Sequence, residues 1–315
     1  MNPYVFIVGC PRSGTTLLRR IVDAHPAIAI LPVETHWIPK LIDAQLGVGA
    51  DGRLTSDFVT ALAARRTFSK LEIGEAELAA LVSRTDGTYS AVVSAIFDLC
   101  AARRGKCLAG DKTPGYVRSM PTLHELWPSA RFVHLIRDGR DVALSAINWE
   151  RKQDDFERRF RTWRGDRVTT AAHWWRWHVE SGRDAGARLD GRLYLEVRYE
   201  DLVAAPEKAC RRVCAFLEVP FDDAMLRFHE GRTRHKPGLS AKRAWLPVTA
   251  GLRDWRTEMQ PRDIELFEAA AGKLLENLRY ERAAPSPSRA ALNDAERIGR
   301  VFAEDAVSYD RRVAA

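Results

Sequence analysis

A short apolar run that stops at a glycine-rich loop does most to limit what this chain can become. Tyr4–Val8 (YVFIV) is continuously apolar, the pattern of a strand covered on both faces of a parallel sheet. It runs straight into Gly9-Cys-Pro-Arg-Ser-Gly-Thr-Thr16. From about Gly14 to Ala24, Leu17, Leu18, Ile21 and Val22 recur on one helical face. A strand, a tight turn and a helix start in that order aim backbone N–H groups at one point, and the helix end adds roughly half a positive charge. The result is an anion nest. The spacing nearly matches the nucleotide P-loop G-x-x-x-x-G-K-[ST]: Gly9, Gly14 and Thr16 are in place, but Thr15 stands where the lysine belongs. That lysine would reach the β- and γ-phosphates of a triphosphate. Arg12 instead puts a planar donor inside the loop, which suits a phosphate joined to another oxyanion.

A second segment, Arg131–Ser145 (RFVHLIRDGRDVALS), repeats the strand-to-helix design. Phe132–Ile136 reads as a strand that ends at Arg137, at the carboxyl end of the sheet where open α/β folds take ligands. Asp138 and Gly139 turn the chain into a helix, and Ser145 falls about two turns along it. An arginine leaving a strand and a serine on the next helix can grip a phosphate from two sides. Arg140 and Asp141 read as residues that pair with the sheet's surface. Together the two segments predict a ligand with two separated phosphate groups.

Further strands are expected at Ala27–Leu31, Lys106–Ala109 and Arg192–Tyr199, the last at an edge or half-covered position. Strands alternating with helices predict an α/β fold: a P-loop-like open parallel sheet of about five strands, flanked by helices. Two long helical insertions, at about 40–105 and 153–186, would wall a substrate site. The expected domain is 1–282, followed at 283–315 by a Pro/Ser linker and a C-terminal helix or tail.

Composition narrows the partners. Forty-nine Lys and Arg against 42 Asp and Glu give a net charge of +7. The basic residues are scattered among acids, without the basic stripe and interleaved aromatics of a nucleic-acid module. The five cysteines lack zinc-site spacing, so reduced thiols, no metal and a cytoplasmic setting are expected. No apolar stretch is long enough to span a membrane, and no signal peptide is visible. Trp163, Trp174, Trp175 and Trp177 read as packing. His25, at a helix end, reads as structural.

The chain resembles the sulfotransferases that depend on 3′-phosphoadenosine-5′-phosphosulfate (PAPS), especially the bacterial branch close to protein-tyrosine sulfotransferases. The matching segments are Pro11–Pro26 (PRSGTTLLRRIVDAHP), Val33–His36 (VETH), Gly110–Pro114 (GDKTP), Phe132–Ser145 (FVHLIRDGRDVALS) and Val197–Leu202 (VRYEDL). The resemblance implies that Arg12, Ser13, Gly14, Thr15 and Thr16 hold the 5′-phosphosulfate, and that Arg137 and Ser145 hold the 3′-phosphate. It makes Tyr199 a nucleotide contact, Glu34 the general base, and Lys112 a residue at the phosphosulfate bridge. Ser240 and Leu246–Trp255 resemble the segment that closes over PAPS. The acidic pair of the tyrosine-sulfotransferase pattern is Val33-Glu34 here.

On that footing the expected reaction is in-line transfer of a sulfuryl group from PAPS to an acceptor hydroxyl, with no metal. Glu34 would take the proton, while Arg12 and Lys112 would stabilise the leaving bridge oxygen. His36 is the second candidate base. Without the resemblance, Lys112 reads as an ion pair with Asp111. Two alternatives stand beside this reading: a P-loop-like phosphotransferase, and a protein that binds PAPS or its product without turnover. The acceptor and the oligomeric state are not readable from the residues.

Overall fold

The computed structural model describes residues 3–230, 246–248 and 253–314. Its centre is a five-stranded sheet of β1 (Val5–Gly9), β2 (Ile28–Ile30), β3 (Leu108–Lys112), β4 (Arg131–Ile136) and β5 (Tyr194–Arg198). All neighbours are parallel, in the order β2-β3-β1-β4-β5. Every residue of β1 is buried, as its unbroken apolar run demands. Side chains alternate across the sheet: Phe6 and Val8 enter one core, Val5 and Ile7 the other. Phe6 stacks on Phe132 with centroids 5.6 Å apart. Each such fully buried side chain contributes about 1.5–3 kcal/mol.

Helix α1 (Thr15–Ala24) follows β1. The first insertion forms α2 (Ile38–Asp43), α3 (Ser56–Ala63), α4 (Glu75–Arg84) and α5 (Tyr89–Ala102), which pack over the Phe6 face. After β3 come α6 (Met120–Leu126), then β4 and α7 (Gly139–Ile147). The second insertion is α8 (Gln153–Arg159) and the long α9 (Arg167–Gly186). Beyond β5 lie α10 (Tyr199–Ala204), α11 (Pro206–Leu217), α12 (Trp255–Glu258), α13 (Pro261–Asn277) and α14 (Arg289–Ala314).

Two elements depart from expectation. β3 starts later than Lys106 and runs on through Asp111 and Lys112, so Lys112 stands on the sheet itself. Gly110 permits this, because a Cβ there would meet the Val5 carbonyl at 2.2 Å. The C-terminal segment takes the helical form of the two that were open. α14 packs on α9 and α13, burying Ala295, Phe302 and Ala306 in a third core with Trp163, Trp175 and Phe267. Among the described residues, no helix is long and apolar enough to cross a membrane.

Candidate active site

β1 and β4 are adjacent and in register, with Gly9 beside Leu135. Their carboxyl ends therefore deliver both predicted phosphate loops to one rim of the sheet. In the first loop Gly9 lies so close to β4 that a Cβ would stand 2.5 Å from the Leu135 carbonyl oxygen. Gly14 caps α1 at φ 96°, left-handed backbone that glycine adopts freely, and a Cβ on it would run into the Tyr199 ring at 2.5 Å. The start of α1 has neither a side-chain cap nor an acidic residue in its first turn, so its positive end is left for an outside anion. Ser13 is fully buried, and its Oγ has no hydrogen-bond partner among the described residues.

The second loop is more heavily braced than its sequence suggests. Arg137 is buried. Its Nη2 donates to Asp141 Oδ2 at 3.0 Å, its guanidinium lies 4.3 Å over the Tyr199 ring, and its Nε has no hydrogen-bond partner among the described residues. Trp175 Nε1 donates to the Arg137 carbonyl at 3.1 Å and fills the space a Cβ on Gly139 would need. Asp138 caps α7 and accepts from Arg140 at Nε (3.0 Å) and Nη2 (2.7 Å). Arg140 corrects an expectation. It does not face the surface: it is fully buried, donates to Glu268 Oε1 at 2.6 Å and to the Glu281 carbonyl at 2.8 Å, and lies 3.5 Å over Trp255. Asp141 is not a surface residue either: it holds Arg137 and accepts the Trp255 backbone N–H at 3.0 Å. Burial pushes the Asp141 carboxyl up, against the pull of Arg137.

Arg12 joins the two loops. It takes left-handed backbone at φ 78°, donates from Nε to Ser145 Oγ at 3.0 Å, and stacks 4.5 Å over Trp149. Its guanidinium therefore meets the serine assigned to the other phosphate.

A third group gathers beside the first loop. Lys112 pairs with Glu34 Oε1, not with Asp111, and also donates to Thr16 Oγ1 at 3.4 Å. Glu34 Oε2 lies 3.1 Å from His36 Nε2. Burial would raise the Glu34 carboxyl, but the His36 hydrogen bond and the Lys112 charge outweigh it and hold the group at about 2. The turn carrying Glu34 is pinned from below. The Thr35 N–H donates to Thr113 Oγ1 at 3.0 Å, and the Thr35 hydroxyl meets the Tyr116 hydroxyl at 2.6 Å. Asp111, on the opposite face of the strand, is fully buried, and burial pushes it up to about 6 against the pull of Thr113 and Lys112.

The structure thus brings Arg12, Ser13, Gly14, Thr15, Thr16, Glu34, Lys112, Arg137, Ser145 and Tyr199 to one end of the sheet. Ser240 lies outside the described residues, as do 249–252 of the closing segment. His25 sits at the far end, bonded through Nε2 to the Pro220 carbonyl at 2.8 Å, as a structural histidine should be. Trp163, Trp174 and Trp175 are buried packing. Trp149 and the Asp141 brace escaped the sequence reading; the four-residue spacing of Arg137, at the end of β4, and Asp141, in the first turn of α7, was the available signal for the latter. Orphaned Ser13 Oγ and Arg137 Nε at the two loops fit a ligand bearing an anion at each end.

The chain is 27% identical over 298 residues to protein-tyrosine sulfotransferase 1 of Danio rerio, covering 91% of this chain and 74% of that protein. It is 28% identical over 230 residues to protein-tyrosine sulfotransferase A of Caenorhabditis elegans, covering 73% of this chain but only 53% of that protein. Among solved structures, the sulfotransferase domain from the curacin biosynthetic pathway superposes with a TM-score of 0.60 at 22% identity, covering 89% of this chain and 99% of that one. The sulfotransferase domain from the Synechococcus PCC 7002 olefin synthase gives 0.56 at 25% identity, covering 89% and 95%. The family model described as "Sulfotransferase family" matches residues 3–223, and with the loop geometry above it establishes that this chain belongs to the sulfotransferase family.

Proposed function

We propose that the protein transfers a sulfuryl group from PAPS to an acceptor hydroxyl. The observation that carries this is the convergence of Lys112, Glu34 and Thr16 beside the first anion loop, one strand from the Arg137–Ser145 cradle. The first loop suits the 5′-phosphosulfate, with Ser13, Gly14, Thr15 and Thr16 around it. Arg137, Ser145 and the Arg12 guanidinium suit the 3′-phosphate, and the Tyr199 ring lies between the two loops. The PAPS sulfuryl group is the transferred electrophile.

Sulfuryl transfer, like phosphoryl transfer, passes through a loose, in-line transition state, so positioned charge supplies most of the acceleration. Lys112 stands where negative charge would grow on the bridging oxygen and can neutralise it. Glu34 supplies the anionic charge that draws the proton from the acceptor. The fixed cations do here what a magnesium ion does for a nucleoside triphosphate.

The test is release of 3′-phosphoadenosine-5′-phosphate (PAP) from PAPS, measured with a panel of phenols, alcohols and sugars. The Glu34→Gln variant should lose about 10²- to 10⁴-fold in turnover while its PAP affinity stays within about twofold. EDTA should leave turnover unchanged. Magnesium-dependent turnover of ATP in place of PAPS would overturn the reading in favour of a phosphotransferase.

A further inference from the structure

We infer, resting on the PAPS reading above, that Trp149 is a positioning residue for the 3′-phosphate. Its indole holds the Arg12 guanidinium on Ser145, so that the first loop takes part in reading the second phosphate.

Arg12 crosses from one loop to the other. It belongs to the turn between β1 and α1, yet its Nε donates to Ser145 Oγ on α7 at 3.0 Å. A serine oxygen that accepts from a guanidinium keeps its own O–H to donate. Accepting from a cation also polarises that O–H and strengthens it as a donor. Ser145 is thereby set to donate to an anion. A hydroxyl without such a neighbour rotates, and its donor direction is not fixed in advance.

The ring of Trp149 keeps Arg12 in place, with its centroid 4.5 Å from the guanidinium carbon. A carboxylate can also orient an arginine, as Asp141 does for Arg137, but it offsets part of the charge that a phosphate would meet. An indole face attracts the cation through its quadrupole and uses none of the N–H donors, which lie in the guanidinium plane. The backbone of Arg12 is left-handed at φ 78°, a conformation that persists where its surroundings over-determine it.

The indole is itself braced. Trp149 follows the C-cap of α7, Asn148, where a helix runs out of N–H donors for its last carbonyls. Gln153, the first residue of α8, gathers several of them. Its Nε2 lies 3.1 Å from the Ala146 carbonyl oxygen, 2.9 Å from that of Ile147 and 3.2 Å from that of Trp149. Its Oε1 accepts from Trp163 Nε1 at 2.9 Å, and the indole N–H fixes which end of the amide is which. Trp163 is fully buried and stacks on Phe156 with centroids 4.2 Å apart. One line of contacts thus runs from the core of the second insertion through Gln153 and Trp149 to Arg12 and Ser145. The insertion that the sequence suggested as a substrate wall also braces the donor site.

The experiment measures PAP and AMP affinities by calorimetry for wild type, Trp149→Leu, Arg12→Ala and the double variant. AMP lacks the 3′-phosphate, so the ratio of the two affinities isolates contacts with that group. Trp149→Leu should weaken PAP binding about 3- to 20-fold and AMP binding by less than about twofold. Trp149→Phe keeps a ring of weaker quadrupole and should fall between wild type and Trp149→Leu. In the Arg12→Ala background, Trp149→Leu should weaken PAP by less than about a further twofold, because the cation it holds is gone. Should Trp149→Leu fail to fold, Trp149→Phe in both Arg12 backgrounds carries the same test. Unchanged PAP binding in the Trp149 variants overturns the assignment. An equal loss for PAP and AMP also overturns it, since the ring would then lie against the nucleoside. So does a full loss repeated in the Arg12→Ala background, since Trp149 would then act without Arg12. In each of these cases a wild-type preference for PAP over AMP leaves the PAPS reading standing. A wild-type protein that binds PAP no tighter than AMP overturns both.

Discussion

Arg137 is the residue on which discrimination for a 3′-phosphate should depend most. Its guanidinium is buried, oriented by Asp141 and Tyr199, and its Nε meets no acceptor among the described residues. Charged hydrogen bonds of this kind contribute about 1.5–3 kcal/mol. Arg137→Ala should therefore weaken PAP binding about 10- to 100-fold in calorimetry while leaving AMP binding nearly unchanged. Ser145→Ala, which removes a neutral hydroxyl, should cost about 2- to 10-fold in the same comparison. An equal loss for both nucleotides would place the two residues away from the 3′ end. At this scale the sequence was most informative about position: Gly14 caps α1, Thr16 lies beside Lys112 and Arg137 directly follows β4, as their spacing predicts. It was least informative for pairing. Lys112 could equally have paired with Asp111, its neighbour in sequence. Only the pleat of β3, which turns successive side chains to opposite faces, sends Lys112 to Glu34 and Asp111 into the core.

At the scale of the element, β3 carries a cost that its length conceals. Asp111 lies fully buried inside it, and burial pushes its carboxyl up from 3.8 to about 6, against the pull of Thr113 and Lys112. Below about pH 4 the group is protonated whether the chain is folded or not, and no penalty arises. As pH rises from about 4 to about 6 the unfolded chain ionises first, so stability falls; above that the loss is constant. Two pK units correspond to roughly 3 kcal/mol. Asp111→Asn should raise the denaturation midpoint at pH 7.5 and change it little at pH 4, measured by urea titration at both. β4 was legible to within a residue because Arg131 and Arg137 bracket the run Phe132–Ile136, apolar but for His134. β3 was not, since its second half is polar and its burial depends on Gly110 admitting the Val5 carbonyl.

For the whole molecule, the question is what the C-terminal third adds to a site built from earlier residues. α14 was open in the sequence between helix and tail, because an amphipathic pattern does not say what its apolar face meets. In the structure Phe302 stacks on Phe160 with centroids 4.8 Å apart and is 5% exposed. Phe302→Ala should therefore destabilise the whole fold by about 3–5 kcal/mol, read as a lowered midpoint in urea. A detached tail would give no change.

Arg140 extends this dependence to the nucleotide rim. Its partners Glu268 and the Glu281 carbonyl, and the Tyr280 hydroxyl that reaches Glu200 behind the same turn, all come from the far end of the chain. A nascent polypeptide that has emerged only as far as α11 already holds both loops, yet it leaves the Arg140 guanidinium with Asp138 alone and without Glu268, its second carboxylate. During synthesis, the rim of the sheet should therefore reach its final geometry late, when α13 docks and Glu268 closes on Arg140.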